Sequence, residues 1–161
     1  DPSNIGEISI VKEINGMKIG FVGYHEFSYK NYDKIISEIT RLRPITDFLI
    51  VSAHWGIEYN KNYTQDQQNK AHQFIDAGAD LVLGAHPHVV EPVEIYKNKH
   101  IFYSLGNFIF DQDFSYATTH GLAVRITIPA RTTVQSGEYR KEATYELIPI
   151  SIIKSQVSIT N

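Results

Sequence analysis

The chain has 161 residues, 42% of them hydrophobic and 20% charged, which is the make-up of a globular domain able to bury a sizeable core. A net charge of −3 and a pI near 6.2 give no electrostatic footing for nucleic acid. The lack of cysteine excludes disulfides, thiolate catalysis and Cys-rich zinc sites, so any metal must be held by His, Asp, Glu or Asn.

No apolar run approaches the roughly 20 residues that span a bilayer. The chain shows no signal peptide and does not begin with Met, so it reads as a trimmed piece of something longer. Residues 9–14 (SIVKEI) roughly alternate, and Asn15-Gly16 is a hairpin signal leading into a strand at 18–22 (KIGFV). Residues 31–42 have helical spacing, with Ile35, Ile36 and Ile39 on one face, and Pro44 ends them. Residues 47–53 (DFLIVSA) form a continuous apolar strand, the kind buried on both faces. A second helix starts at the N-cap Thr64, with Gln67 completing a capping box, buries Ala71, Phe74 and Ile75, and closes at Gly78.

The strand 80–84 (DLVLG) follows, so strand, helix, strand, helix, strand points to right-handed βαβ crossovers and a parallel sheet. Residues 93–96 and 100–105 read as a hairpin around Lys97-Asn98-Lys99. Two more strands, 121–129 and 143–150, flank a polar stretch containing Gly137. The expected fold is therefore a single α/β domain over residues 1–161 with a mixed sheet.

Ligands of open parallel sheets gather at the carboxyl ends of the strands. Here those ends read Gly23-Tyr24-His25, His54-Trp55-Gly56 and His86-Pro87-His88. Three consecutive strand ends thus deliver histidine to one edge. Pro87 disfavours helical backbone at His86, and side chains two apart in an extended segment face the same way. Their Cα atoms would then lie about 6.5 Å apart, a spacing at which two imidazoles ligate two neighbouring metals or share one. Single histidines are usually surface or hydrogen-bonded residues, and His25, His72, His100 and His120 read that way individually. Asn107 either reaches the same site or is ordinary turn chemistry after Gly106. Glu58 either accepts from a ligand histidine, binds substrate or is a plain exposed carboxylate. Trp55 either walls the cleft or packs.

The blocks SAHWGIEY (52–59), DAGADLVLGAHPHVVEPVEIY (76–96) and IFYSLGNFIFDQ (101–112), with EINGMKIGFVGY (13–24) upstream, resemble the signatures of the CapA/PgsA family of capsule and poly-γ-glutamate synthesis proteins. That family is similar to the calcineurin-like metallophosphoesterases. The resemblance implies half of a four-layer α/β/β/α metallophosphatase-like sandwich, with this chain as the C-terminal portion. It also implies that His54, His86 and His88 are metal ligands, His54 and His86 serving one ion and His88 the other. The ions would be divalent transition metals (Mn, Fe or Zn), two in the complete domain. The family's Gly-Asp and Asn-Asn-His elements are missing here, so the site would be incomplete in this chain. Ala85 stands where many relatives have another histidine.

Two functions follow. In the first, the parent is a metal-dependent, hydrolase-like accessory enzyme acting on a phosphoryl compound or an anionic polymer. His54 and His86 would then be catalytic, Glu58, Asn107 and Trp55 would bind substrate, and these 161 residues alone would be inactive. In the second, a non-catalytic accessory protein binds the polymer or its synthase complex, with the histidines holding a structural metal or contacting carboxylates. The resemblance also implies an extracytoplasmic protein of the bacterial cell envelope, anchored in the membrane through a segment absent here.

Overall fold

Asn15 and Gly16 both take positive φ, 51° and 75°, the turn geometry whose twist matches that of flanking strands. They join β1 (Ser9–Ile14) to β2 (Met17–His25) in an antiparallel pair. The computed structural model that defines these elements describes residues 8–28, 32–129, 132–134, 137–139 and 142–160. Helix α1 (Tyr32–Leu42) buries Ile35, Ile39 and Leu42 and passes into a short 3₁₀ turn, Arg43–Ile45, at the proline that cannot continue it.

Strand β3 (Phe48–His54) is buried along most of its length, as its unbroken apolar run requires. Helix α2 (Gln65–Ala77) opens on the expected capping box, with Gln67 N–H donating to Thr64 Oγ1 at 3.1 Å and Thr64 N–H to Gln67 Oε1 at 2.8 Å. Gly78, at φ 121°, closes it, and β4 (Leu81–Ala85) follows. Lys97 and Asn98, at φ 49° and 61°, turn β5 (Val93–Tyr96) into β6 (Lys99–Phe102). The remaining strands are β7 (His120–Thr127), β8 (Thr132–Val134), β9 (Gly137–Tyr139), β10 (Thr144–Ile153) and β11 (Gln156–Ile159).

The architecture is mixed α/β, as expected. A six-stranded sheet runs β1-β2-β3-β4-β6-β5, with β2, β3, β4 and β6 parallel and the two edge strands antiparallel. One face carries Val22, Tyr24, Leu49, Val51 and Val82 into a core with Ile35, Ile39 and Phe74 of the helices. The opposite face puts Ile19, Phe48, Ile50, Leu81 and Phe102 against Val124, Ile126 and Tyr145 of the antiparallel sheet β11-β10-β7.

Several bounds differ from the sequence expectation. β2 runs to His25 and β3 to His54, because backbone pairing with neighbours continues where the hydrophobic pattern stops. The polar stretch around Gly137 holds a short hairpin, β8 with β9, and β11 was not expected at all. Its Gln-Val-Ser-Ile alternation is only four residues long and is set by pairing with β10.

Gly84 marks the tightest approach in the sheet. A Cβ there would lie 1.8 Å from the Tyr103 carbonyl oxygen and 2.6 Å from Trp55 Nε1, which donates to that same carbonyl at 2.9 Å. Gly84→Ala is expected to cost about 3 kcal/mol in urea unfolding, because neither neighbour is a flexible chain end. A loss under about 0.5 kcal/mol would show that the backbones can part at no cost.

Candidate functional site at the carboxyl ends of the parallel strands

Register builds the site. The β2–β3 pairing sets His25 opposite His54, and the β3–β4 pairing sets His54 opposite Ala85, so His86 is the first residue past the ladder. The rings follow one another in a row. Centroids lie 4.6 Å apart for His25–His54, which stack at 17°, 4.7 Å for His54–His86 and 6.0 Å for His86–His88.

His86 does not take the extended backbone expected of a residue before proline. Its φ is 102°, and His88 follows at 61°, both in the region that side chains rarely adopt. Such residues cost on the order of 1–3 kcal/mol each and persist where surrounding contacts fix them. Two of those contacts are Trp55 N–H donating to the Ala85 carbonyl at 3.1 Å and Tyr59 N–H donating to the Pro87 carbonyl at 2.8 Å. The two rings therefore share a side through a strained turn, not through the alternation of an extended segment.

Burial holds the His54 and His86 imidazoles below their ordinary pKa, with like-charge repulsion from the other site histidines adding to it and, at His86, Glu58 opposing it. Both rings are thus biased to the neutral form that carries a lone pair. His88 is oriented by Asn107, whose Oδ1 lies 2.7 Å from His88 Nδ1. The Asn107 amide nitrogen donates to the Thr118 carbonyl at 3.0 Å and to Gln112 Oε1 at 3.3 Å, so its oxygen must face the ring. Nδ1 then carries a proton, and Nε2 lies on the side of Glu58, whose Oε1 is 3.8 Å away.

Ligand atoms of Glu58, His86 and His88 all lie within 4.8 Å of one another, and this is the compact metal-capable group among the described residues. His54 adjoins it through His86 but lies outside it. Asn107 is 6% exposed and acts on His88. Trp55 is a correction to the cleft-wall and substrate-binding reading: it is fully buried, stacked between Phe74 and Tyr103, and cannot touch a ligand.

Sequence reasoning brought His25 to the same edge without giving it a ligand role, and it missed the ring walls. Phe27 lies 4.5 Å from His86 and 6.2 Å from His54, while Tyr59 and Phe110 flank His88 at 6.0 and 4.9 Å. It also missed Glu26, which accepts Gly56 N–H at 2.8 Å and Lys70 Nζ at 2.5 Å, clamping the His54 loop to α2. The aromatic composition of the loop segments was the available signal for the walls. Glu26 gave none beyond its place beside His25.

Below the loops, fully buried Gln67 donates to Glu91 Oε2 at 2.9 Å. Burial pushes the Glu91 carboxyl up to about 7, and its Oε1 has no partner among the described residues. The unfolded carboxyl ionises near pH 4.3, so its stabilising contribution is complete below that value and is lost as pH rises towards about 7. Glu91→Gln should therefore match the parent near pH 4 and exceed it at pH 8 by on the order of 2 kcal/mol, read by urea unfolding across pH. A constant difference at all pH values would refute the buried-proton account. For His88, Asn107→Leu should shift the ring tautomer in 15N NMR and weaken Zn²⁺ binding about 10- to 100-fold, whereas Asn107→Asp keeps the tautomer. An unchanged tautomer in the leucine variant would mean that Asn107 does not orient the ring.

Residues 6–112 match the family model of the bacterial capsule synthesis protein PGA_cap. The chain is similar to the PGA biosynthesis protein CapA of Bacillus subtilis (strain 168), 36% identical over 118 residues that cover 65% of this chain and 31% of that protein. It is also similar to the capsule biosynthesis protein CapA of Bacillus anthracis, 31% identical over 124 residues covering 66% and 30%. The chain thus spans less than a third of the length of these curated relatives. A crystal structure of a hypothetical protein from Thermus thermophilus shares the fold, with a TM-score of 0.53 at 12% identity over 87% of this chain and 62% of that one. With the family model covering well over half its length, this chain belongs to the bacterial capsule synthesis protein PGA_cap family.

Proposed function

We propose that these residues form the histidine side of a metal-dependent, hydrolase-like centre in a capsule (poly-γ-glutamate) biosynthesis protein. The observation that carries the reading is the Glu58/His86/His88 group, with its ligand atoms within 4.8 Å of one another. The donor chemistry fits a divalent transition ion such as Mn, Fe or Zn: one carboxylate, one imidazole biased to its neutral form and a second oriented by a neighbouring amide. Such an ion would act as a Lewis acid on a phosphoryl or acyl oxygen.

The protein's own groups then have separable tasks. His86, His88 and Glu58 hold the ion, and His54, kept neutral beside His86, is placed to ligate it or to accept a proton. Asn107 fixes the His88 ring. Glu26 and Lys70 hold the loop that carries His54. Phe27 lies against His86, and Tyr59 and Phe110 flank the His88 ring.

The Glu58/His86/His88 group leaves coordination positions open, and in this reading polypeptide outside the 161 residues supplies the ligands that complete the catalytic centre. The substrate is a phosphoryl compound or an anionic polymer, handled with a polymer synthase complex. The relatives' part in capsule biosynthesis points to the cell envelope. Among the described residues no helix is long and apolar enough to cross a membrane.

The full-length parent is expected to bind two transition-metal ions and to hydrolyse a generic phosphodiester. His86→Ala should reduce turnover by about 10²-fold or more. The 161-residue chain alone should show little or no turnover. A parent that binds no metal yet retains polymer binding would replace the enzyme with a non-catalytic accessory protein. Robust metal-dependent turnover by the 161 residues would refute the need for outside ligands.

A further inference from the structure

We propose that His25 is a ligand residue of the cation centre, pairing with His54 to form a second cation-binding position beside the Glu58/His86/His88 group. This inference rests on the metal reading above and adds a residue to which the sequence analysis gave no ligand role.

Three observations carry it. First, the parallel register places His25 directly opposite His54, and the rings stack at 4.6 Å and 17°. With metal–nitrogen bonds of about 2.0–2.1 Å, two imidazoles that share one ion have ring centres roughly 4.5–5 Å apart, the separation seen here. Second, His25 Nδ1 is shielded from water and has no hydrogen-bond partner among the described residues. Buried polar atoms in native proteins almost always have a partner, and an orphan of this kind calls for a bound water, an ion or a rearranged ring.

Third, the surroundings disfavour the usual role of a strand-end histidine, which is to pair with a carboxylate. The adjacent carboxylate, Glu26, is committed to Gly56 N–H and Lys70. Phe27 presents its ring edge-on to His25 and His54 and tilts over His86. Two imidazoles against an apolar wall with no carboxylate between them suit a borderline ion such as Zn²⁺ or Co²⁺ better than a hard one such as Mg²⁺.

The test is a Zn²⁺ titration of the 161-residue chain, followed by the ring 15N shifts of its histidines and by binding stoichiometry. His25 and His54 should move together within the first two equivalents. His25→Phe, which preserves the stack, should lower the stoichiometry from two ions to one while His86 and His88 still respond. His25→Gln should give the same loss, which guards against a packing artefact of the larger ring. If His54, His86 and His88 respond but His25 does not, or if His25→Phe still binds two ions, the proposal is overturned and the reading of the Glu58 group stands. If His25 and His54 respond while His86 and His88 stay silent, the proposal is supported and the reading of the Glu58 group fails. Silence from all four rings overturns both.

Discussion

The parallel register among β2, β3 and β4 sets the position of every other group at this rim. Because the ladder pairs His25 with His54 and His54 with Ala85, three chain segments far apart in sequence end level with one another. Level strand ends bring the imidazoles to ring separations of 4.6 to 6.0 Å. At those distances a charge on one ring opposes a charge on the next, which adds to burial in holding His54 and His86 neutral. The sheet thereby converts backbone hydrogen bonding into a row of imidazoles.

Register alone would leave the loops free, and a second layer of polar contacts restrains them. Glu26 joins the end of β2 to the backbone of Gly56 and, through Lys70, to α2. Gln67 joins the helix cap to Glu91, just past the His86–His88 turn. A side chain on Gly56 would strike Gln67, with a Cβ only 2.6 Å from its Nε2, so the loop and the helix start are packed without slack. These restraints offset the strain of two histidines held at positive φ. Strain of that kind is tolerated where a fixed ring direction matters more than the most stable backbone.

Trp55 shows how closely core and site are joined. It follows His54 directly, and its indole donates to the Tyr103 carbonyl that crowds Gly84. The indole fills the core while its neighbour serves the rim. Alternation along the strand sends consecutive side chains to opposite environments. The aromatic core of Tyr24, Phe74, Trp55 and Tyr103 is thus the rigid footing of the histidine row.

Local chemistry was enough to read most of the elements: the Asn15-Gly16 turn, the Thr64/Gln67 capping box, the Gly78 stop and the apolar run of β3 all depend on neighbours within a few residues. The arrival of histidines at three strand ends was legible for the same reason, since strand ends follow from pattern and turns. What lay beyond the sequence were facts that depend on pairing across the fold. The stacking of His25 on His54 comes from register, and the donation of the Trp55 indole to the Tyr103 carbonyl beside Gly84 from the packing of separate segments. The positive φ at His86 and His88 goes with contacts from the Trp55–Tyr59 loop, while β11 exists only against β10. Short-range propensity specifies where a strand stops; only long-range packing decides which rings then meet, and with which tautomer they face one another.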